Sequence, residues 1–404
     1  MRILMIAPEP FFEPRGTPFS EFHRIRALTA LGHQVDLVTY PFGDDVSMPG
    51  LRVIRALRPP FITRVKIGPS AAKFPLDALL TLTAFRVGLT GTYDAIHSHE
   101  EGGVIGVVLS WLLRVPHLYD MHSSLPQQLT NFAFTGSSVA RGIVRWFEKL
   151  MINRSKVVIV ICPALEETVR ETSPSANVVL IENAPGSAEE KATPGQAAAV
   201  RAKHGVAPQT PLVLYTGTFE AYQGLDLLFE AMAHVKANRP EARLLLAGGK
   251  ADQVEKARSL AASAGIADVT IFAGERPASE IPAYLLACDA LVSPRSRGTN
   301  TPLKIYQYLR SGKAIVATRL TTHTQVLDDD TSILTEATPA AFGKGILLAL
   351  GDLAKAATIG ENAQRLAETK YSYEAYLEKT RRACTELFQS GPPLTPGSPI
   401  KDAA

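Results

Sequence analysis

The chain has 404 residues, 46% of them hydrophobic, and its 42 basic and 39 acidic side chains leave a formal net charge of +3. This length exceeds one ordinary core and predicts two domains, with a cleft between them as the default place for a site. The near balance of charge gives no general reason to invoke nucleic acid, so basic clusters are judged one at a time.

The opening MRILMIAPEP has one basic residue and a short apolar run before Pro8. It predicts a buried first strand rather than a signal peptide. A helix follows through FSEFHRIRALTALG, with Phe22, Ile25, Leu28 and Leu31 at helical spacing and Gly32 as its stop. The stretch 74–89, FPLDALLTLTAFRVGL, is broken by Asp77 and Arg86. It falls short of the roughly 20 residues a membrane-spanning helix needs. Further strands are expected at QVDLVTY, AIHSH, HLYDMH and VVIVICP. Strands separated by helices predict a parallel, doubly wound sheet. Its ligands bind beyond the carboxyl ends of strands, which here are residues 9–18, 97–101 and 120–124.

Residues 186–210 are small and polar and read as a connector holding a short helix. The alternation then restarts with LVLYTGT, a helix near 225–236, ARLLLAGG, a helix near 254–265, VTIFAG, ALVSP and SPRSRGTNTPLKIYQYLRSGKAIVAT. YSYEAYLEKTRRACTELFQ predicts a long amphipathic helix, and SGPPLTPGSPIKDAA a disordered tail. The expected division is 1–190, 191–368, a helix at 369–389 packing back toward the first domain, and the tail 390–404. Cys162, Cys288 and Cys384 are far apart and lack metal-ligand spacing, which predicts a reduced, cytoplasmic protein without disulfides.

Two such α/β units carrying RGTPFSEFHRIRALTALGHQVDLVTY, YDAIHSHE, LYTGTFEAYQGLDLLFEAM and the 293–318 segment resemble family four of the retaining nucleotide-sugar glycosyltransferases. The likeness runs from residue 1 to about 388. It implies the GT-B fold, with two doubly wound, Rossmann-like parallel-sheet domains facing across a cleft, acceptor-side first and donor-binding second. It also implies transfer from a UDP- or GDP-sugar to a glycan, lipid-linked or small-molecule acceptor with retention of configuration. Attack is from the front face, a donor phosphate oxygen takes the acceptor's proton, and neither metal nor other cofactor is needed.

The loop EPRGTP lets Gly16 bring backbone amides to a diphosphate at a helix start, with Thr17 beside it and Arg15 toward the acceptor. His97 and His99 share one strand face, with Ser98 opposite. No third residue completes a metal set. By resemblance His99 and Glu100 border the acceptor, whereas His97 is as readily a packing residue. His122 matches the family histidine beside the transferred sugar. Asp120, on the same face, either orients that histidine or the acceptor, or caps a turn.

Gly217 and Gly224 frame a loop where the family carries an Arg and a Lys on the diphosphate; Thr218 and Gln223 stand there instead. The family's paired glutamates align with Thr299 and Gln307, leaving Thr299, Asn300, Thr301, Pro302, Leu303 and Lys304 as donor contacts. Arg295, Arg297 and Lys304 then replace the missing positive charge, arginine binding phosphate in a fork. Those replacements keep open a nucleotide- or glycan-binding relative with weak or no turnover, and, third, a nucleotide-sugar epimerase. Arg55, Arg58, Arg64, Lys66 and Lys73 lie among apolar residues and suggest peripheral contact with the inner face of the membrane. The similar stretch around Trp146 and Phe147 reads as a core helix with a solvated face.

Overall fold

The computed structural model describes residues 1–13, 16–63, 65, 73–126, 138–183 and 192–389. Arg15, Arg64, Lys66 and the tail expected at 390–404 lie outside them. The chain divides into two compact units, Met1–Glu182 with the chain from Tyr376 onward, and Asn183–Ala375.

Unit 1 is built on β1 (Arg2–Ala7), β2 (Gln34–Thr39), β3 (Leu51–Arg55), β4 (Ala95–His99), β5 (His117–Met121), β6 (Val157–Val160) and β7 (Val178–Leu180), in the order β3-β2-β1-β4-β5-β6-β7. Neighbours pair in parallel. Parallel strands covered by helices on both faces have no polar side to show. That is why β4, β5 and β6 are buried at every position. The strand order reverses between β1 and β4, and the crevice at such a point is where open α/β sheets bind ligands. The chain leaves β1 there at Pro8, β4 at Glu100 and β5 at His122.

Unit 2 repeats the plan with β8 (Leu212–Thr216), β9 (Arg243–Ala247), β10 (Thr270–Gly274), β11 (Ala290–Ser293), β12 (Ala314–Thr318) and β13 (Ile333–Thr335), in the order β10-β9-β8-β11-β12-β13. Its reversal lies between β8 and β11, so the loops after Thr216 and Ser293 share one edge. The connector contains a helix, Pro194–Lys203, started by a Thr193–Gln196 capping box.

Three short strands escape the sequence reading: β3, β7 and β13, each at a sheet edge. An edge strand has one neighbour and needs no long apolar run, so periodicity marks it weakly. The first helix, Gly16–Ala30, also differs from expectation. It buries Glu21, Arg24, Ile25 and Leu28, while Phe22 and Leu31 are only half-buried. The inward face is turned to bring two charged side chains beneath the carboxyl edge of the sheet. The last helix, Tyr373–Phe388, lays Tyr376, Ala383 and Leu387 against Leu118, Val157, Ile159, Val179 and Ile181 of unit 1. All three cysteines are buried and none is in a disulfide among the described residues.

Candidate active site

At the carboxyl edge of unit 1, β4 and β5 bring His97, His99, Asp120 and His122 together. The rings of His97 and His99 stack with centroids 4.8 Å apart, as alternate positions of one strand must. Ser98 points to the other face and meets His117 Nε2 at 2.6 Å. Asp120 is the hub. Its Oδ2 accepts from Arg24 Nε at 2.9 Å and lies 3.4 Å from His97 Nε2, while its Oδ1 lies 3.3 Å from His122 Nε2. Burial pushes the Asp120 carboxyl up, but Arg24 and then His122 and His97 more than reverse this and hold it well below the ordinary range. Asp120 therefore carries its charge on the Arg24 guanidinium rather than capping a turn. Arg24 is 2% exposed, stacks on Tyr376 and donates to the Thr380 hydroxyl at 3.1 Å.

His122 Nε2 also lies 3.2 Å from His99 Nδ1. Burial holds His99 well below the ordinary histidine range, so its ring is neutral near pH 7. His97, His99 and Asp120 each offer a ligand atom within 4.8 Å of the others, yet one carboxylate oxygen of the set is already taken by the guanidinium. Glu100, at φ 46, accepts from the Ser123 hydroxyl at 2.9 and 3.0 Å. Gly16, at φ +55, has open space where a Cβ would stand, so it is the backbone conformation that calls for glycine there. Thr17 lies near enough to the Glu9 carboxyl to favour its charged form.

In unit 2 the loop after β8 and the loop after β11 are tied to each other. The Ser296 N–H donates to the Tyr222 carbonyl at 3.2 Å, and the Arg295 guanidinium lies over the Tyr222 ring at 5.1 Å. Gly224, at φ +74, passes so close to the Pro294 carbonyl that a Cβ would overlap it. Thr218 gives its carbonyl to the Tyr215 hydroxyl at 2.7 Å, which folds the Tyr215 ring beneath Gly217. On that ring rests Lys304, its Nζ 3.7 Å from the centroid and 3.2 Å from where a Gly217 Cβ would stand.

Lys304 is 8% exposed, and its Nζ has no hydrogen-bond partner among the described residues. Burial, and then Arg295, hold the ammonium well below the ordinary lysine range. Buried beside the same edge, Gln223 Oε1 and Thr301 Oγ1 also lack hydrogen-bond partners among the described residues.

The loop after β11 is braced from below. The Thr318 hydroxyl donates to the Arg295 carbonyl at 2.7 Å, and Gln325 Nε2 donates to the Thr299 carbonyl at 2.8 Å. His323, held down to about 4 by burial, donates from Nδ1 to the Thr318 carbonyl and accepts from the Ser293 hydroxyl, both at 2.8 Å. Arg297 is exposed and gives its carbonyl to Arg295 Nε at 2.8 Å. Thr299 and Asn300 are half-buried neighbours, their side-chain oxygens 3.4 Å apart, Pro302 is buried, and Leu303 and Gln307 are half-buried. The helix here spans only Lys304–Arg310, two residues later than Pro302. Its approach is a tight turn in which the Ile305 N–H reaches the Pro302 carbonyl at 3.0 Å.

Sequence reasoning did not single out Glu21, Arg24, Tyr215 or His323. Glu21 and Arg24 did leave a signal, since each lies four residues before an apolar position of the helix stripe, Ile25 and Leu28.

Comparison with known proteins finds one family match in each half of the chain. The family described as glycosyl transferases group 1 matches residues 196–366, and the glycosyl transferase 4-like domain matches residues 23–184. A D-inositol 3-phosphate glycosyltransferase of Corynebacterium diphtheriae is 27% identical over 340 residues, covering 77% of this chain and 75% of that protein. A phosphatidyl-myo-inositol mannosyltransferase of Mycobacterium leprae is 26% identical over 340 residues, 81% of each. Sucrose-phosphate synthase of Thermosynechococcus elongatus superposes with a TM-score of 0.77 at 22% identity, over 96% of this chain and 99% of that one, a likeness of fold.

Proposed function

This chain belongs to the group 1 glycosyltransferases, the retaining nucleotide-sugar enzymes of family four with the GT-B fold, and we propose that Lys304 receives the donor diphosphate and His122 the transferred sugar. The observation that carries this reading is the buried Lys304 amine. A cation held out of water without a counter-charge costs several kcal/mol, and a diphosphate oxygen is the group that would offset that cost. Gly217 keeps the approach to Nζ clear, and Gln223 and Thr301 offer further polar atoms. Arg295 adds a second cation from the loop clamped to Tyr222. Together they would supply the positive charge that Thr218 and Gln223 do not, at the point where the leaving group gains negative charge.

On the acceptor side, Arg24 fixes Asp120 and Asp120 faces His122, so the imidazole is held for a sugar hydroxyl with little freedom to lose. The acceptor hydroxyl attacks the anomeric carbon on the face the diphosphate leaves, and its proton passes to a phosphate oxygen. This scheme uses no metal and no protein nucleophile.

Screening by thermal unfolding tests the reading. UDP, GDP or one of their sugars should raise the melting temperature, by about 2.7 kcal/mol of added stability at 100 times Kd. If no nucleoside diphosphate or nucleotide sugar stabilises the chain, the reading fails. Gln307→Ala should weaken nucleotide binding, whereas Gln307→Glu should preserve or improve it; unchanged affinity in both would remove Gln307 from the site.

A glycan or lipid-linked acceptor is the proposed partner, with peripheral contact at the inner membrane face. Among the described residues no helix is long and apolar enough to cross a membrane. Of the basic residues expected to make that contact, Arg55 bonds the Phe11 and Phe42 carbonyls, and Lys73 bonds Glu101 at 2.7 Å. The helix Ser138–Arg154, which buries Met151 and Ile152 and leaves its other face solvated, fits better. Ile143 and Trp146 are exposed, at 52% and 59%, with Arg141, Arg145 and Lys149 exposed beside them. Its one acid, Glu148, is buried. An apolar face rimmed by cations suits an anionic bilayer. Binding to anionic vesicles should fall with added salt and with Trp146→Ala; equal binding to neutral vesicles at every salt level would end the proposal.

A further inference from the structure

Unit 1 holds a second set of unsatisfied groups. Glu21 and His99 are both 0% exposed, and neither Glu21 oxygen nor His99 Nε2 has a hydrogen-bond partner among the described residues. They face each other, with Glu21 Oε1 3.9 Å from His99 Nδ1. Glu100 follows His99 directly, and the Glu9 carboxyl is close enough to Glu21 to be raised by it. Burial first, and neighbouring carboxylates second, push Glu9, Glu21 and Glu100 well above the ordinary range.

The cations nearby are already engaged: Lys73 bonds Glu101 at 2.7 Å and Arg24 bonds Asp120 at 2.9 Å. A phosphate brought here would add negative charge to a buried site that already resists ionisation of its own carboxyls, while the described cations beside it, Lys73 and Arg24, hold other carboxylates. A hydroxyl differs, because it can donate to a carboxylate or to His99 Nε2 and can accept from a protonated carboxyl.

We infer that Glu21 and His99 form the acceptor subsite and that it takes a neutral, hydroxyl-rich ring while rejecting one that carries phosphate beside the reacting hydroxyl. The inference rests on the reading of the chain as a sugar transferase. A lipid-linked acceptor would then present a sugar lying beyond its phosphate.

Ligand-observed NMR on the full chain with UDP present tests this, using myo-inositol, methyl β-glucoside and myo-inositol 3-phosphate as probes. At least one neutral ring should show saturation transfer, with the phosphorylated ring at least tenfold weaker. Glu21→Leu should remove the neutral-ring signal and Glu21→Gln should retain most of it, both with the UDP-induced thermal shift intact. That shift reports folding and the donor site separately, so its loss in the parent chain would count against the transferase reading rather than the subsite. Three results would overturn the inference while the UDP shift persists: equal or tighter binding of the phosphorylated ring, no binding of any ring, or no effect of Glu21→Leu.

Discussion

Replacing Lys304 with methionine is expected to weaken nucleoside diphosphate binding roughly 30-fold or more while making the empty protein more stable. Losing one partner of a desolvated, hydrogen-bonded charge pair costs about 2–5 kcal/mol, and 1.4 kcal/mol is a factor of about ten in Kd. Without nucleotide the balance is reversed. The folded chain holds Nζ against the Tyr215 ring with no hydrogen-bond partner among the described residues, whereas the unfolded chain hydrates it. A lysine whose folded pKa lies below its unfolded one costs the native state stability below the unfolded pKa, and the cost fades as pH rises through that value. Methionine of similar length removes the cost, and each kcal/mol regained should raise the melting temperature by about 2–4 °C.

The same sign predicts proton uptake. Phosphate restores the ammonium, so binding should strengthen as pH falls toward neutrality, and calorimetric heats should vary with the ionisation enthalpy of the buffer. In Lys304→Met that buffer dependence should vanish. Loss of stability together with loss of binding would instead make Lys304 a packing residue.

Arg24→Met should be the most damaging single change in unit 1. It strands the Asp120 carboxylate in a site where both partners are buried, at 2% and 0% side-chain exposure, and breaking a buried pair in this way costs about 3–5 kcal/mol. Urea unfolding should show the loss, and the double variant Arg24→Met with Asp120→Leu should recover much of it by removing both charges. Asp120 has a depressed folded pKa, so the stability it contributes is present above the unfolded value near 4 and is lost as pH falls through the folded one. The Arg24→Met penalty should therefore shrink in acid. Transfer should also suffer, because Asp120 no longer fixes His122. A cost below about 1 kcal/mol at pH 7 would show the pair to be solvated and the hub misassigned.

These residues differ in how far they could be read in advance. Thr301 and the glycines flanking Thr218 and Gln223 lie in loops directly after strands, Lys304 starts the helix that follows such a loop, and strand positions follow from runs of apolar residues. The basic segment 293–304 was therefore assignable to an edge of the second sheet before any coordinates. What could not be read was that Lys304 is buried on Tyr215, a residue 89 positions earlier, or that Arg297 is the exposed member of the group. The helix Ser138–Arg154 was expected to have a core side and a solvated face, but that Ile143 and Trp146 lie on the solvated face could not be read, for a similar reason. Its sequence is amphipathic either way, and which stripe turns inward is decided by what packs on it.

By itself the sequence determined two doubly wound α/β units, the loops that carry polar chemistry and the family resemblance, because period, turn residues and motif spacing are local properties. Only the tertiary structure decided the pairing of Arg24 with Asp120 across 96 positions, the burial of the Glu21 carboxyl without a hydrogen bond among the described residues and the edge strands β3, β7 and β13. Whether a buried charge has a counter-charge depends on residues far away in the chain, and desolvation, which sets the cost of lacking one, exists only once the surrounding core has formed.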